Sequence, residues 1–157
     1  MNALVIEDDK NIGHLIADSY FQRRGDVCEL VHTLAAALAC KNKSYDIIIL
    51  DLNVPDSQGW ETLVSVRAVF PVVRLMVLTG TSLRAGDIGK AHNLGADYVL
   101  QKAYVNYKSF DEAVENALAK SRHPTIDKAA EIVSMTDSSI NIIKTLGAQV
   151  AKSTTLV

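Results

Sequence analysis

Three stretches of this chain are apolar at every successive position: Leu4-Val5-Ile6, Ile47-Ile48-Ile49-Leu50 and Leu75-Met76-Val77-Leu78. A strand points alternate side chains to opposite faces, so a run without polar alternation needs cover on both sides. Such runs belong to central strands of a parallel sheet sandwiched between helices. With two flanking runs, the predicted strands are Ala3–Ile6, Val27–Val31, Asp46–Leu50, Arg74–Thr79 and Tyr98–Gln101.

The segments between them have helical spacing. Ile12, Leu15, Ile16, Ser19 and Tyr20 share one helix face, Leu34 and Leu38 with neighbouring alanines a second, and Leu63, Val66 and Phe70 a third. Phe110, Val114 and Leu118 mark a fifth helix ending near Arg122. Gly25, Pro71 and Gly95 interrupt the pattern where elements must end. Five strands alternating with five helices predict an α/β fold. The matching architecture is a doubly wound five-stranded parallel sheet in the order 2-1-3-4-5, a flavodoxin-like (βα)5 fold. Ligands in such sheets sit beyond the carboxyl ends of the strands, at the switch between the first and third.

A chain of 157 residues suits one domain with a short appendage, here a domain over 1–122 and a helical C-terminal extension over 123–157. The formal charge of −2 supplies no broad basic surface for nucleic acid. No stretch approaches the roughly 20 apolar residues of a membrane span, and the expectation is a cytoplasmic protein. Cys28 and Cys40 have no CxxC spacing and read as buried free thiols, which suit a reducing compartment.

At the predicted strand ends the chain places Glu7-Asp8, Asp51, Thr79 and Lys102. One acid after a strand is uninformative, since loops are wet. Three acids, a hydroxyl and a lysine at four strand ends require a common purpose. Two carboxylates about 4 Å apart repel by roughly 4 kcal/mol at an effective dielectric of 20, so the cluster needs neutralising. Lys102 and a divalent cation would do so, and hard oxygen ligands with room for water are what Mg²⁺ accepts. Asp8 and Asp51 would bind it directly and Glu7 through water. The shielded Asp51 carboxylate could then attack a phosphoryl donor to give an acyl phosphate, with Lys102 and Thr79 meeting the transferred oxygens.

Over residues 2 to 122 the chain resembles the receiver domain of two-component response regulators, the CheY-like phosphoacceptors. The matching motifs are Val5-Ile6-Glu7-Asp8-Asp9, Asp51-Leu52-Asn53-Val54-Pro55 with Gly59, Leu78-Thr79-Gly80, Gly95-Ala96-Asp97, and Lys102. The resemblance implies Asp51 as phosphoacceptor, Glu7, Asp8, Asp51 and the Asn53 backbone carbonyl as Mg²⁺ ligands, and Thr79 and Lys102 as switch hydroxyl and phosphate-binding lysine. It implies a signalling switch of a phosphorelay, fed by a histidine kinase or histidine phosphotransfer protein and acting on a downstream protein target. It implies no enzyme beyond slow Mg²⁺-dependent self-phosphorylation and self-dephosphorylation. Protein contacts on the fourth and fifth helices would carry the signal.

Three departures stand out. Family members usually follow the lysine with proline, often through a cis bond; here Ala103 follows, and the cost of a cis non-proline bond, about 2.5–4 kcal/mol, predicts trans with a rearranged loop. The family's inward-swinging aromatic is replaced by Val99, with Tyr98 on the opposite strand face, which leaves Tyr104 as a substitute relay. The extension is the third, with Ile126, Ala130 and Val133, then Ile140, Ile143, Leu146 and Val150, at helical spacing around capping residues Thr136 to Ser139. It would pack on the receiver, pair with a second copy as a homodimer, or dock a partner.

The rival reading is a degenerate receiver that binds proteins without being phosphorylated. An aspartyl-phosphate hydrolase would want an acid where Asn53 stands. A flavin site would want a Gly/Ser/Thr loop in place of Glu7-Asp8-Asp9. His14, His32, His92 and His123 read as surface or packing residues, Trp60 as packing the third helix, and Tyr20, Tyr45 and Phe70 as core or rim.

Overall fold

The computed structural model describes residues 1–80, 82–84, 86–104 and 107–119. Its strands are β1 (Asn2–Ile6), β2 (Val27–Val31), β3 (Ile47–Asp51), β4 (Arg74–Thr79) and β5 (Tyr98–Gln101), with a two-residue hairpin, Asn53–Val54 against Ser57–Gln58, after β3. The five strands form one parallel sheet in the order β2-β1-β3-β4-β5, as the apolar runs required. All five β3 residues are buried, the mark of a strand covered on both faces.

Side chains divide between two cores by parity. Leu4, Ile6, Ile48, Leu50, Leu75 and Val77 face α2 (Leu34–Ala39), α3 (Trp60–Val69) and α4 (Asp87–Asn93). Ala3, Val5, Ile47, Ile49, Met76 and Leu78 face α5 (Tyr107–Ala119) and the first helix, which runs as α1 (Lys10–His14) into a wider π-turned segment, Leu15–Phe21. Burying each large aliphatic side chain contributes about 1.5–3 kcal/mol, so this alternation supplies much of the drive to fold. Within β5, Val99 packs into the first core and Tyr98 into the second, the opposite faces expected of neighbours in a strand.

Two predicted faces need correction. The first helix buries Gly13, Ile16, Ala17, Tyr20 and Phe21, while Leu15 stays 52% exposed and Ser19 is exposed. The stripe is shifted by one residue. Phe21, absent from the predicted set, is fully buried edge-on to Tyr20 and Phe110, and burying two aromatic rings outweighs burying Leu15. Gly13 allows this packing, because a Cβ there would stand 2.9 Å from Leu30 Cδ1. In α5, Ala113 and Ala117 are buried beside Phe110 and Val114, whereas Leu118 is 37% exposed. Helix α3 buries Leu63 and Val66, with Phe70 just beyond it, as its spacing predicted.

Both cysteines are free, but only Cys40 is buried; Cys28 is half-buried on edge strand β2. No helix among the described residues is long and apolar enough to cross a membrane. The extension from His123 onward, with its two amphipathic stripes, and the Tyr104 side chain lie outside the described residues.

Candidate functional site

Register brings the acids together before any side chain acts. Ile6 of β1 pairs with Leu50 of β3, so Glu7 and Asp51 emerge side by side at the carboxyl edge. Asp51 lies opposite Leu78 and Thr79 opposite Gln101, so Thr79 and Lys102 leave the next two strands at the same edge. Ligand oxygens of Glu7, Asp8 and Asp51 all fall within 4.8 Å of one another. Glu7 and Asp51 are 1% and 4% exposed, Thr79 2%, while Asp8 opens to solvent.

Lys102 Nζ closes the cluster. It donates to Asp51 Oδ2 at 2.7 Å and to Glu7 Oε1 at 2.8 Å. Glu7 Oε2 stands equally near, at 2.8 Å, but outside hydrogen-bonding angles, and this buried oxygen has no hydrogen-bond partner. Burial pushes the Glu7 carboxyl above its ordinary pKa; the Lys102 hydrogen bond opposes this and the Asp51 charge adds to it. Burial works to lower the Lys102 ammonium, yet its bonds to Asp51 and Glu7 win and raise it. One ammonium thus pairs with two of the three clustered carboxylates.

Among the residues predicted for the site, Glu7, Asp8, Asp51 and Lys102 come together. Asp9 of the same acidic run does not join them: its Oδ1 accepts from the Asn11 and Ile12 amides and caps α1. Asn53 sits just past Asp51, where its amide donates to Asp51 Oδ1 at 3.1 Å and its side-chain oxygen accepts from Gly59 N at 3.2 Å. Lys102-Ala103 is trans, as the missing proline predicted, and Lys102–Tyr104 forms one turn of 3₁₀ helix.

Two neighbours were missed from sequence. His32 Nδ1 lies 2.7 Å from the Glu7 carbonyl oxygen, so a histidine read as bland borders the acidic loop. Its place just after β2 was the available signal. Asp56 accepts from the first two amides of α2, Leu34 and Ala35, at 2.7 and 2.8 Å, tying the loop after Asp51 to the next helix. Trp60 is part of a cleft of about 260 Å³ that reaches Asn53 and Thr79, with Lys90 Nζ 5.4 Å from its ring centre.

The donor set fits a hard divalent cation. Carboxylate oxygens are what Mg²⁺ selects, and opposite ligands at about 2.1 Å stand roughly 4.2 Å apart. The 4.8 Å spread leaves room for one acid to bind through water. Glu7 Oε2, paired with Lys102 by charge but accepting no hydrogen bond, is an oxygen with lone pairs to spare for a cation.

A family model described as the response regulator receiver domain matches residues 3–115. Among curated proteins, the chain is 31% identical to the transcriptional regulatory protein RprY of Bacteroides fragilis over 106 residues, covering 66% of this chain and 44% of that one. It is 29% identical to CusR of Escherichia coli, covering 66% and 45%. The chain thus spans about half the length of the curated relatives it matches. Among solved structures, the non-phosphorylated HemR receiver domain of Leptospira biflexa superposes with a TM-score of 0.67 at 20% identity, covering 78% of this chain and 97% of that one. A CheY-like receiver domain from Methanospirillum hungatei gives 0.65 at 24%, covering 74% and 92%. With most of its length matched by that family and its sheet wound in the same order, this chain belongs to the response regulator receiver domains.

Proposed function

We propose that the protein is a phosphorylation switch in which the Asp51 carboxylate accepts a phosphoryl group from a histidine kinase or histidine phosphotransfer protein. The observation that carries this reading is the Lys102 ammonium, 2.7 Å from Asp51 and 2.8 Å from Glu7 in a cluster that still holds excess negative charge. Glu7, Asp8, Asp51 and the Asn53 carbonyl would hold Mg²⁺, whose charge, when bound, offsets the carboxylates that repel an incoming phosphate.

An Asp51 oxygen forms a new bond to phosphorus as the bond from phosphorus to the donor's leaving atom breaks, leaving an acyl phosphate. Lys102 already points its ammonium at Asp51 and needs little motion to pair with a phosphoryl oxygen. The Thr79 hydroxyl, one residue beyond the β4 position that pairs with Asp51, would donate to another. That contact exists only when phosphate is present, so it favours one of two conformations of the surrounding loops. The readout is a changed protein surface on α4 and α5, acting in the cytoplasm on a protein target. Residues 1–122 would be the switch and 123–157 an extension that packs on it, pairs copies or docks a partner.

Acetyl phosphate with and without Mg²⁺, followed by intact mass, tests the reading. Wild type should gain one phosphate only with Mg²⁺, and Asp51→Asn should gain none. Uptake that ignores Asp51, or no uptake, would move the assignment to a phosphorylation-independent binding module.

A further inference from the structure

We infer that Thr62 is a positioning residue for Asp51: through the Leu52–Asn53 peptide its hydroxyl aims a backbone N–H at the phosphoacceptor carboxylate. The inference rests on the proposed role of Asp51.

Thr62 lies in the first turn of α3 and is fully buried. Its Oγ1 is 2.8 Å from the Leu52 carbonyl oxygen and 2.8 Å from Ser57 Oγ. A carbonyl only accepts, so the single hydroxyl proton of Thr62 goes to Leu52 and Ser57 donates to Thr62. Both capacities of the buried hydroxyl are then used, as burial of a polar group demands.

The Leu52 carbonyl and the Asn53 amide belong to one planar peptide and point in opposite directions. Asn53 N–H reaches Asp51 Oδ1 at 3.1 Å. Holding the carbonyl against Thr62 therefore fixes the direction of the amide facing Asp51. Lys102 fixes the other carboxylate oxygen, Oδ2. Each Asp51 oxygen has one oriented donor, and Thr62 governs one of the two. The loop has separate anchors, Asn53 Oδ1 on Gly59 N and Asp56 on α2, so it should keep its path when the hydroxyl is removed. The Leu52–Asn53 peptide plane would lose its restraint, and the Ser57 hydroxyl its acceptor. Valine keeps the shape but leaves the Leu52 carbonyl and the Ser57 hydroxyl unpaired, which costs stability. Labelling is therefore compared on folded protein and against Thr62→Ser, which keeps both bonds.

Thr62→Val, Thr62→Ser and Thr62→Cys are compared with wild type by the rate of acetyl-phosphate labelling in Mg²⁺ and by the Asn53 amide in ¹⁵N–¹H spectra. Thr62→Val is expected to label about 10-fold more slowly, the scale set by small misplacements of a nucleophile, with the half-saturating donor concentration unchanged. Its Asn53 amide proton should shift upfield and exchange faster with solvent. Thr62→Ser should stay within about twofold of wild type, since it keeps the donor.

A folded Thr62→Val that labels at the wild-type rate with an unmoved Asn53 amide overturns the inference, as does a Thr62→Ser as slow as Thr62→Val. Should Thr62→Val not fold, Thr62→Cys decides: its thiol donates weakly, so labelling slower than Thr62→Ser supports the inference and equal rates overturn it. If wild type takes no phosphate, the proposed role of Asp51 falls, and the Asn53 amide of the folded variants alone decides whether Thr62 orients that peptide.

Discussion

Removing the Lys102 ammonium would leave Glu7 and Asp51 with no neutralising partner between them. Breaking a buried ion pair from one side costs about 3–5 kcal/mol; the partial exposure of Lys102 reduces this to about 2–3 kcal/mol for Lys102→Met, measurable by urea denaturation in EDTA. Glu7, raised above its ordinary value chiefly by burial, fixes the sign of the pH effect. A carboxyl with a raised folded pKa holds its proton better in the native state, so its stabilising contribution is present at low pH and lost as pH rises through that pKa. The Lys102→Met defect should therefore shrink as pH falls from neutrality into the acid range. Cys28 provides a second test. Burial foremost, then the charges of Asp18 and Glu29, push its thiol from 9.0 up to about 12. At pH 8 its thiolate fraction, and so its alkylation rate, should fall about 10³-fold below that of an ordinary cysteine and keep rising tenfold per unit through pH 10. Peptide mapping after timed alkylation reads this directly.

Between residue and fold, two ties join elements that the chain places far apart. Arg67 of α3 reaches the Phe70, Val73 and Gly95 carbonyls and Asp97, which also accepts from Arg74 and from the Leu75 amide. Gly95 must let this guanidinium pass, since a Cβ would lie 2.9 Å from Arg67 Nε and φ is +101°. Gly95→Ala should cost about 1–3 kcal/mol in chemical denaturation, from strain and contact together. The second tie is Asp56 on α2. The Ala35 and Leu34 amides hold its carboxyl below the ordinary 3.8. A lowered folded pKa means stability present above the usual value and lost as pH falls through the lower one. Exchange at the Leu34 and Ala35 amides should thus quicken in strong acid, and Asp56→Ala should produce the same loosening at neutral pH. Sequence analysis found the elements these ties connect but neither tie. Both depend on which loops meet in space, and Asp56 in a loop after Val54-Pro55 looks like any turn residue.

At the scale of the molecule, phosphorylation of Asp51 is expected to move amide resonances of α4, β5 and α5 more than those of the helices on either side of β2. Shifts confined elsewhere would refute that output face. The sequence by itself determined the sheet, its strand limits to within a residue, and the strand ends where the acids and Lys102 gather. A two-sided apolar run has few ways to be buried, and the chain order of βα units leaves few windings. Glu7, Asp8, Asp51, Thr79 and Lys102 were legible for the same reason, since a polar group directly after such a run must emerge at the sheet edge. Tertiary structure alone decided which partners those groups take. Which oxygen of Asp51 faces Lys102, that Asp9 caps a helix while Asp8 joins the cluster, and that Phe21 displaces Leu15 from the core all depend on distances between segments distant in sequence. Spacing along a chain records which face a residue takes, but hydrogen-bond partners are chosen by packing across the sheet.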